Sequence, residues 1–400
     1  MKMEGYCDPR FAEVEHAFRE NFEERGEIGA SLCVSVDGVP LVDLWGGFTD
    51  RQKSKPWQRD TIGVIWSCTK GAVALCAHWA IDRGLLELDK PVGHYWPSFS
   101  GDDRGDIPVR WFLDHQAGLP ALRHPIPSGG LFRWDVMTSM LEKEPLFWTP
   151  GTRQGYHAPT FGHLVGELVQ RVTAKPLGSF FREEIAGPRG LDFHLGLPAS
   201  EEHRVAPVIR PDPIPPGEVP WRFLTEANKD PNSIQSLIIR NTGRAVANPD
   251  SPDAHAAVLP SQGAISNARG LAGLYQPLAL GGDGLVGRDS ITRMAEVSSA
   301  TACDAVLLVG MRFSLGFMKS SDNRSAGPGQ TDSIILSPTA FGHAGMGGSL
   351  GFADPAHRLA FGYTMNKQGR GVLLNARGQS LVDAVYRSLG CRSCDTGFWI

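Results

Sequence analysis

The sequence predicts an α/β (α+β) fold, with an antiparallel sheet built from both ends of the chain, flanked by helices, and a mainly helical segment inserted between. Three observations carry this. Each end holds a pair of apolar-rich, strand-like runs around a turn signal, a pattern typical of paired strands. Each end also carries an apolar stripe at helical spacing. The middle is mostly helical and loop-rich, with one proline-dense stretch that cannot be helix.

In chain order, residues 11–24 read as an amphipathic helix, with Phe11, Val14, Ala17, Phe18 and Phe22 on one side. Residues 30–36 and 39–45 read as strands joined at Asp37-Gly38, a strong hairpin signal. After Ser67, apolar side chains at positions 72, 73, 76, 77, 80 and 81 have a helical period, and Gly84 suits a helix C-terminus. Leu164, Val165, Leu168, Val169 and Val172 mark a further helix. Residues 205–220 carry prolines throughout and read as an extended, semi-rigid connection. Residues 349–353 and 359–365 read as strands around Asp354-Pro355, and roughly 371–389 as a closing helix. The expected division is one unit from residues 1–90 and 255–400 and a second, mainly helical or loop unit from 91–254. A groove between them is the natural place for a site.

Composition narrows the function. The 400 residues are 42% hydrophobic and 20% charged, which reads as one or two globular domains. A net charge of −4 offers no electrostatic reason to expect a nucleic acid or an anionic membrane as partner. No segment approaches the roughly 18 apolar residues of a spanning helix. The N-terminus lacks a signal-peptide apolar core, so the expected location is cytoplasmic. Seven cysteines, an odd number, suit reduced thiols better than a disulfide framework. Cys391 and Cys394 form a C-x-x-C with neither a βαβ setting nor a second ligand pair, so no redox or metal role is read from it.

The strongest chemical signal is Ser67-Cys68-Thr69-Lys70. Of ten lysines, only Lys70 has a serine three residues before it. On a helix that spacing places both side chains on one face, one turn apart. A serine hydroxyl is a poor nucleophile until a neighbour takes its proton, which a desolvated, neutral lysine can do. The helix start adds backbone N–H groups and the positive dipole end, which favour a developing negative charge. A second segment, Gly151 to Thr160, carries Tyr156. By motif alone it reads as a loop anchor, and it suits a general base or proton relay if neighbouring cations lower its pKa. A third, Phe341-Gly342-His343-Ala344-Gly345-Met346-Gly347-Gly348-Ser349, is glycine-rich and leads into a strand, where backbone N–H groups can approach a substrate. It contains a formal G-x-S-x-G at Ser349, but strands on both sides replace the strand-to-helix elbow that motif requires. Ser349 is therefore read as a decoy.

Together these segments resemble the serine β-lactamase and penicillin-binding-protein superfamily, in particular its class C-like branch with the family VIII carboxylesterases. The resemblance spans most of the chain. It also includes Glu87-Leu88-Asp89-Lys90-Pro91, Leu113-Asp114-His115-Gln116-Ala117-Gly118-Leu119 and Pro260-Ser261-Gln262-Gly263-Ala264. It implies a β-lactamase-like (transpeptidase-like) fold. It further implies Ser67 as acylated nucleophile, Lys70 sharing its proton, and Tyr156 as base for acylation and acid for the leaving group. The backbone N–H groups of Ser67 and Met346 would form the oxyanion hole. His343, Ala344 and Gly345 would stand at the family's Lys-Thr-Gly strand, and Ala158 at the asparagine of its Tyr-x-Asn. No metal or other cofactor is required.

Two departures steer the substrate. Ala158 lacks the amide that helps seat a β-lactam side chain. His343 replaces a fixed cation with a group mostly neutral at pH 7. Both suit a small neutral ester better than an anionic β-lactam or peptide, and short acyl chains are expected. Amide or β-lactam hydrolysis, acyl transfer to an alcohol, and a non-catalytic ligand-binding relative stay open at this point. Oligomeric state is not legible.

Overall fold

The computed structural model describes residues 2–101, 104–242, 248–394 and 397–400. Residues 102–103 and 243–247 of the expected helical unit lie outside the described residues.

Six antiparallel strands form the main sheet: β1 (Met3–Cys7), β2 (Gly29–Val36), β3 (Val39–Gly47), β4 (Phe341–Ala344), β5 (Leu350–Asp354) and β6 (Leu359–Met365). Their order is β1-β3-β2-β6-β5-β4, so the two ends of the chain meet where β2 pairs with β6. The β2–β3 hairpin turns at Asp37 and Gly38, with φ of 53° and 79°. Positive φ at both central residues matches the right-handed twist of the strands. β1 was not apparent from the sequence. It pairs only with β3, at the sheet edge, and its side chains are half-buried or exposed, so no alternation marks it.

The helices that frame the site are α1 (Ala12–Glu23), α2 (Thr69–Asp82), α3 (Trp134–Lys143), α4 (Phe161–Thr173), α5 (Arg222–Lys229), α6 (Ile234–Thr242), α7 (Ala268–Ala279) and α8 (Ala376–Ser388). α1 and α8 pack together and cover one face of the sheet, burying Val14, Phe18, Leu381 and Val385 against Phe352 and Phe361. α7 covers the other face, along β6 and β5. There Ala353 and Ala360 join a core that continues through α2 and α4. Alternate residues of β5 and β6 thus serve opposite cores, as the strand period requires.

α8 starts later than the periodicity suggests. The Asp332 carboxylate accepts the N–H groups of Val372 and Leu373, and Leu374 N–H donates to Ser333 O. Asn375 then caps the helix by accepting from Arg377 and Gly378. Residues 205–220 are non-helical as expected. Ile209 exchanges backbone hydrogen bonds with the segment after β6, donating to Asn366 O and accepting from Gln368 N–H. No helix among the described residues is long and apolar enough to cross a membrane. No disulfide joins the described cysteines.

Candidate active site

Ser67 sits in a single 3-10 turn, Trp66–Cys68, that feeds directly into α2. Trp66 has φ 51°, a region an aromatic L-residue rarely adopts. Its neighbours hold it there. Thr69 Oγ1 donates to Trp66 O at 2.5 Å and accepts from Ala264 N–H at 3.0 Å, and Ile65 N–H donates to Ala264 O at 3.0 Å. This clamp fixes how the Ser67 hydroxyl leaves the backbone. From the other side, Cys68 Sγ donates to His343 O at 3.0 Å, tying the turn to β4.

Lys70 is completely buried in the first turn of α2. Its Nζ lies 3.2 Å from Ser67 Oγ, donates to Ser261 O at 2.8 Å, and stands 4.8 Å from the centre of the Tyr156 ring. No carboxylate pairs with it among the described residues. Burial without a counter-charge pushes its pKa well below the usual lysine value, which favours the neutral amine.

Tyr156 is also buried, and its hydroxyl has no hydrogen-bond partner among the described residues. Burial raises its phenol pKa well beyond the ordinary value, and the nearby Ser67 hydroxyl offsets little of that. From the sequence, a general-base role is conditional on neighbouring cations lowering this pKa, and burial shifts it the other way. Tyr156 is therefore a phenol at rest and a proton donor. Its backbone N–H donates to both oxygens of the buried Asp304 carboxylate at 3.0 Å, and that carboxylate also accepts from Val306 and Leu307 N–H. His115 packs on the Tyr156 ring at 5.0 Å, and its Nδ1 accepts from His157 N–H at 3.1 Å.

His343 is buried with its ring 6.0 Å from that of Tyr156. Nδ1–H donates to Ala344 O at 2.8 Å, which fixes the tautomer and leaves Nε2 unpartnered. Burial lowers its pKa to about 3, so it carries no charge at working pH. Ala344 alternates to the opposite face and is packed in the core beneath the sheet, so only its backbone can reach a ligand. Ala158 closes a tight turn, its N–H donating to Tyr156 O at 2.7 Å.

Gly345 is required by close approach. A Cβ there would fall 2.4 Å from Ile65 O and 2.2 Å from Ser349 Oγ. The Met346 N–H donates to nothing among the described residues, and its side chain is 38% exposed. Met346 also lines a cavity of about 570 Å³ with Ile214, Val219, Trp221 and Leu224 in its walls. Ser349 is structural: its buried Oγ donates to Ile65 O at 3.0 Å, and among the described residues no base adjoins it.

The structure thus brings Ser67, Lys70, Tyr156, His343 and Gly345 around one point. Sequence reasoning missed Ser261, Asp304 and His115 as positioning groups. Ser261 acts through its carbonyl, which any residue type would supply. Asp304, a lone acid opening the apolar run Ala305 to Val309, was the one legible signal.

A family model described as Beta-lactamase matches residues 14–385. The chain belongs to the Beta-lactamase family. Within it, the chain is 34% identical over 374 residues to the esterase/beta-lactamase LipL of Mycobacterium tuberculosis, covering 91% of this chain and 82% of LipL. A crystal structure of a family VIII carboxylesterase superposes with a TM-score of 0.84 at 35% identity, covering 97% of this chain and 100% of the other. A penicillin-binding-protein homologue from Caulobacter crescentus gives a TM-score of 0.84 at 33% identity, with the same coverage. The β-lactamase-like fold expected from the motifs is the fold observed.

Proposed function

We propose that this chain is a serine hydrolase that cleaves carboxylic esters through an acyl-enzyme on Ser67. The observation that carries the reading is Lys70, fully buried, unpaired with any carboxylate among the described residues, and 3.2 Å from the Ser67 hydroxyl. A neutral amine keeps a lone pair. With one N–H committed to Ser261 O, that lone pair is free to accept the Ser67 proton as Oγ attacks the ester carbonyl. The negative charge formed on the carbonyl oxygen is received by the Ser67 and Met346 N–H groups. The Tyr156 phenol gives its proton to the departing alcohol oxygen and is reprotonated from the Lys70 ammonium. Water then attacks the acyl-enzyme by the same transfers in reverse.

In this reading the ester enters a groove between the sheet unit (1–90 and 255–400) and the helical unit (91–254). His343 and Ala158 bring no charge to the site, which suits a neutral ester. The 570 Å³ cavity beside Met346 has room for more than the short acyl chain anticipated from sequence, and its walls favour an apolar group. Relatives named as esterases and carboxylesterases support the same class.

The deciding experiment is treatment with a fluorophosphonate followed by peptide mass spectrometry. The expected adduct is on Ser67, together with turnover of p-nitrophenyl esters. An unlabelled protein without esterase activity would indicate a ligand-binding relative instead.

A further inference from the structure

Far from Ser67 in sequence, the turn after β5 and the segment after α8 bring a thiol, an imidazole and a carboxylate into line. His357 Nδ1 lies 2.8 Å from Asp354 Oδ2, and Cys391 Sγ lies 3.2 Å from His357 Nε2. Asp354 is fully buried at the end of β5. Its Oδ2 also accepts from Ser337 Oγ at 2.6 Å and Tyr386 OH at 2.9 Å, and its Oδ1 from Thr339 Oγ1 at 2.6 Å. Burial alone would raise its pKa, but the hydrogen bonds from His357, Ser337 and Thr339 outweigh it and keep the group ionised.

An ionised, acceptor-only carboxylate requires the proton on His357 Nδ1, so in the neutral imidazole Nε2 is an acceptor aimed at the thiol. The Asp354 contact also raises the imidazole pKa and makes it a stronger base. Burial and the Asp354 charge keep Cys391 protonated at rest. With the imidazole neutral, the geometry sets S–H against Nε2 in an orienter-base-nucleophile alignment.

Both partners are held in place. Cys391 N–H donates to Tyr386 O at 3.0 Å at the end of α8, after Gly390 turns with φ 82°. His357 and Cys391 are both partly exposed. Cys394 is not placed to form a disulfide with it. Residues 392 and 394 pair with 400 and 398 as extended chain, in which three residues span about 10 Å, beyond the Cα separation a disulfide tolerates.

We propose that Cys391 is a base-assisted thiol and a site of covalent modification by low-molecular-weight disulfides. As its sulfur attacks one sulfur of the disulfide, the thiol proton passes to His357 Nε2. A new S–S bond forms to Cys391, the old one breaks, and the departing thiolate takes the proton from the imidazolium. Cys391 is oxidised to a mixed disulfide and the displaced sulfur is reduced to a thiol. Burial raises the thiol pKa of Cys7, Cys33, Cys68 and Cys76. Cys303 is exposed and serves as the internal reference.

The test follows modification of the full chain by oxidised glutathione and by Ellman's disulfide, read site by site by peptide mass spectrometry at early times. His357→Asn keeps a donor to Asp354 but removes the acceptor for the thiol. His357→Gln is the second variant, and thermal melts verify that each is folded. The expected result is that Cys391 reacts ahead of Cys303 and at least tenfold more slowly in the folded variant, with Cys303 unchanged. An unchanged Cys391 rate in that variant, or Cys391 still unmodified once Cys303 is complete, would overturn the proposal.

Discussion

The Nζ atom of Lys70 stands 4.8 Å from the ring centre of Tyr156, and both groups are buried beside Ser67. Burial acts on them in opposite directions. It favours the free base of the lysine and keeps the tyrosine a phenol. The pair therefore holds one proton acceptor and one proton donor without any carboxylate.

From this, Lys70→Ala and Tyr156→Phe should each lower kcat by about 10²–10⁴-fold, the usual worth of acid–base groups. The double variant should be little worse than either, because groups acting as one unit are non-additive. Lys70→Arg should be as inactive as Lys70→Ala, since a guanidinium keeps its proton. Multiplicative losses in steady-state kinetics would assign the two residues separate tasks.

The same burial has a stability signature. Between its lowered folded pKa and the ordinary 10.5, Lys70 is protonated in the unfolded chain but not in the folded one. Folding stability therefore falls by up to about 1.4 kcal/mol for each pH unit below 10.5 within that window. Lys70→Met should raise the melting temperature at pH 7, and the gain should vanish near pH 10.5. Ester kcat/KM in the wild type should rise with pH through the lowered Lys70 value, with no alkaline loss from Tyr156. Equal melting differences at both pH values would contradict a neutral Lys70.

Ser67→Ala should abolish ester turnover in a folded protein. Ser349→Ala removes the bond to Ile65 O and should cost about 1 kcal/mol of stability while keeping appreciable activity. Comparing p-nitrophenyl butyrate hydrolysis and thermal melts of the two variants checks the assignment, and reversed outcomes would move the nucleophile to Ser349.

Gly345→Ala places a methyl group against Ile65 O and Ser349 Oγ and should push β4 away from the Ser67 turn. A misplacement of about 1 Å typically costs on the order of 10²-fold in rate. The loss should fall mainly on kcat, and an unaltered kcat would show that β4 does not set the geometry at Ser67.

Neutral esters should be better substrates than β-lactams. With His343 neutral and its Nδ1–H bonded to Ala344 O, a β-lactam carboxylate loses a charge-assisted hydrogen bond worth about 1.5–3 kcal/mol, roughly 10–100-fold. The check is kcat/KM for p-nitrophenyl butyrate and nitrocefin on one preparation, where equal or higher values for nitrocefin would refute the preference.

What the sequence determined by itself was local. Serine and lysine three residues apart share a helix face whatever surrounds them, and Asp37-Gly38 between alternating runs makes a hairpin. The edge strand β1 and the late start of α8 escaped it, since one lacks alternation and the other depends on Asp332. Only the tertiary structure decided the protonation of the site. Lys70 meets Ser261 O across 191 residues, and Tyr156 meets Asp304 across 148. A backbone carbonyl has no residue signature, and the direction of each pKa shift follows from which charges are desolvated together. The same reason explains Cys391: no role was legible in the C-x-x-C spacing, and folding placed its sulfur beside His357.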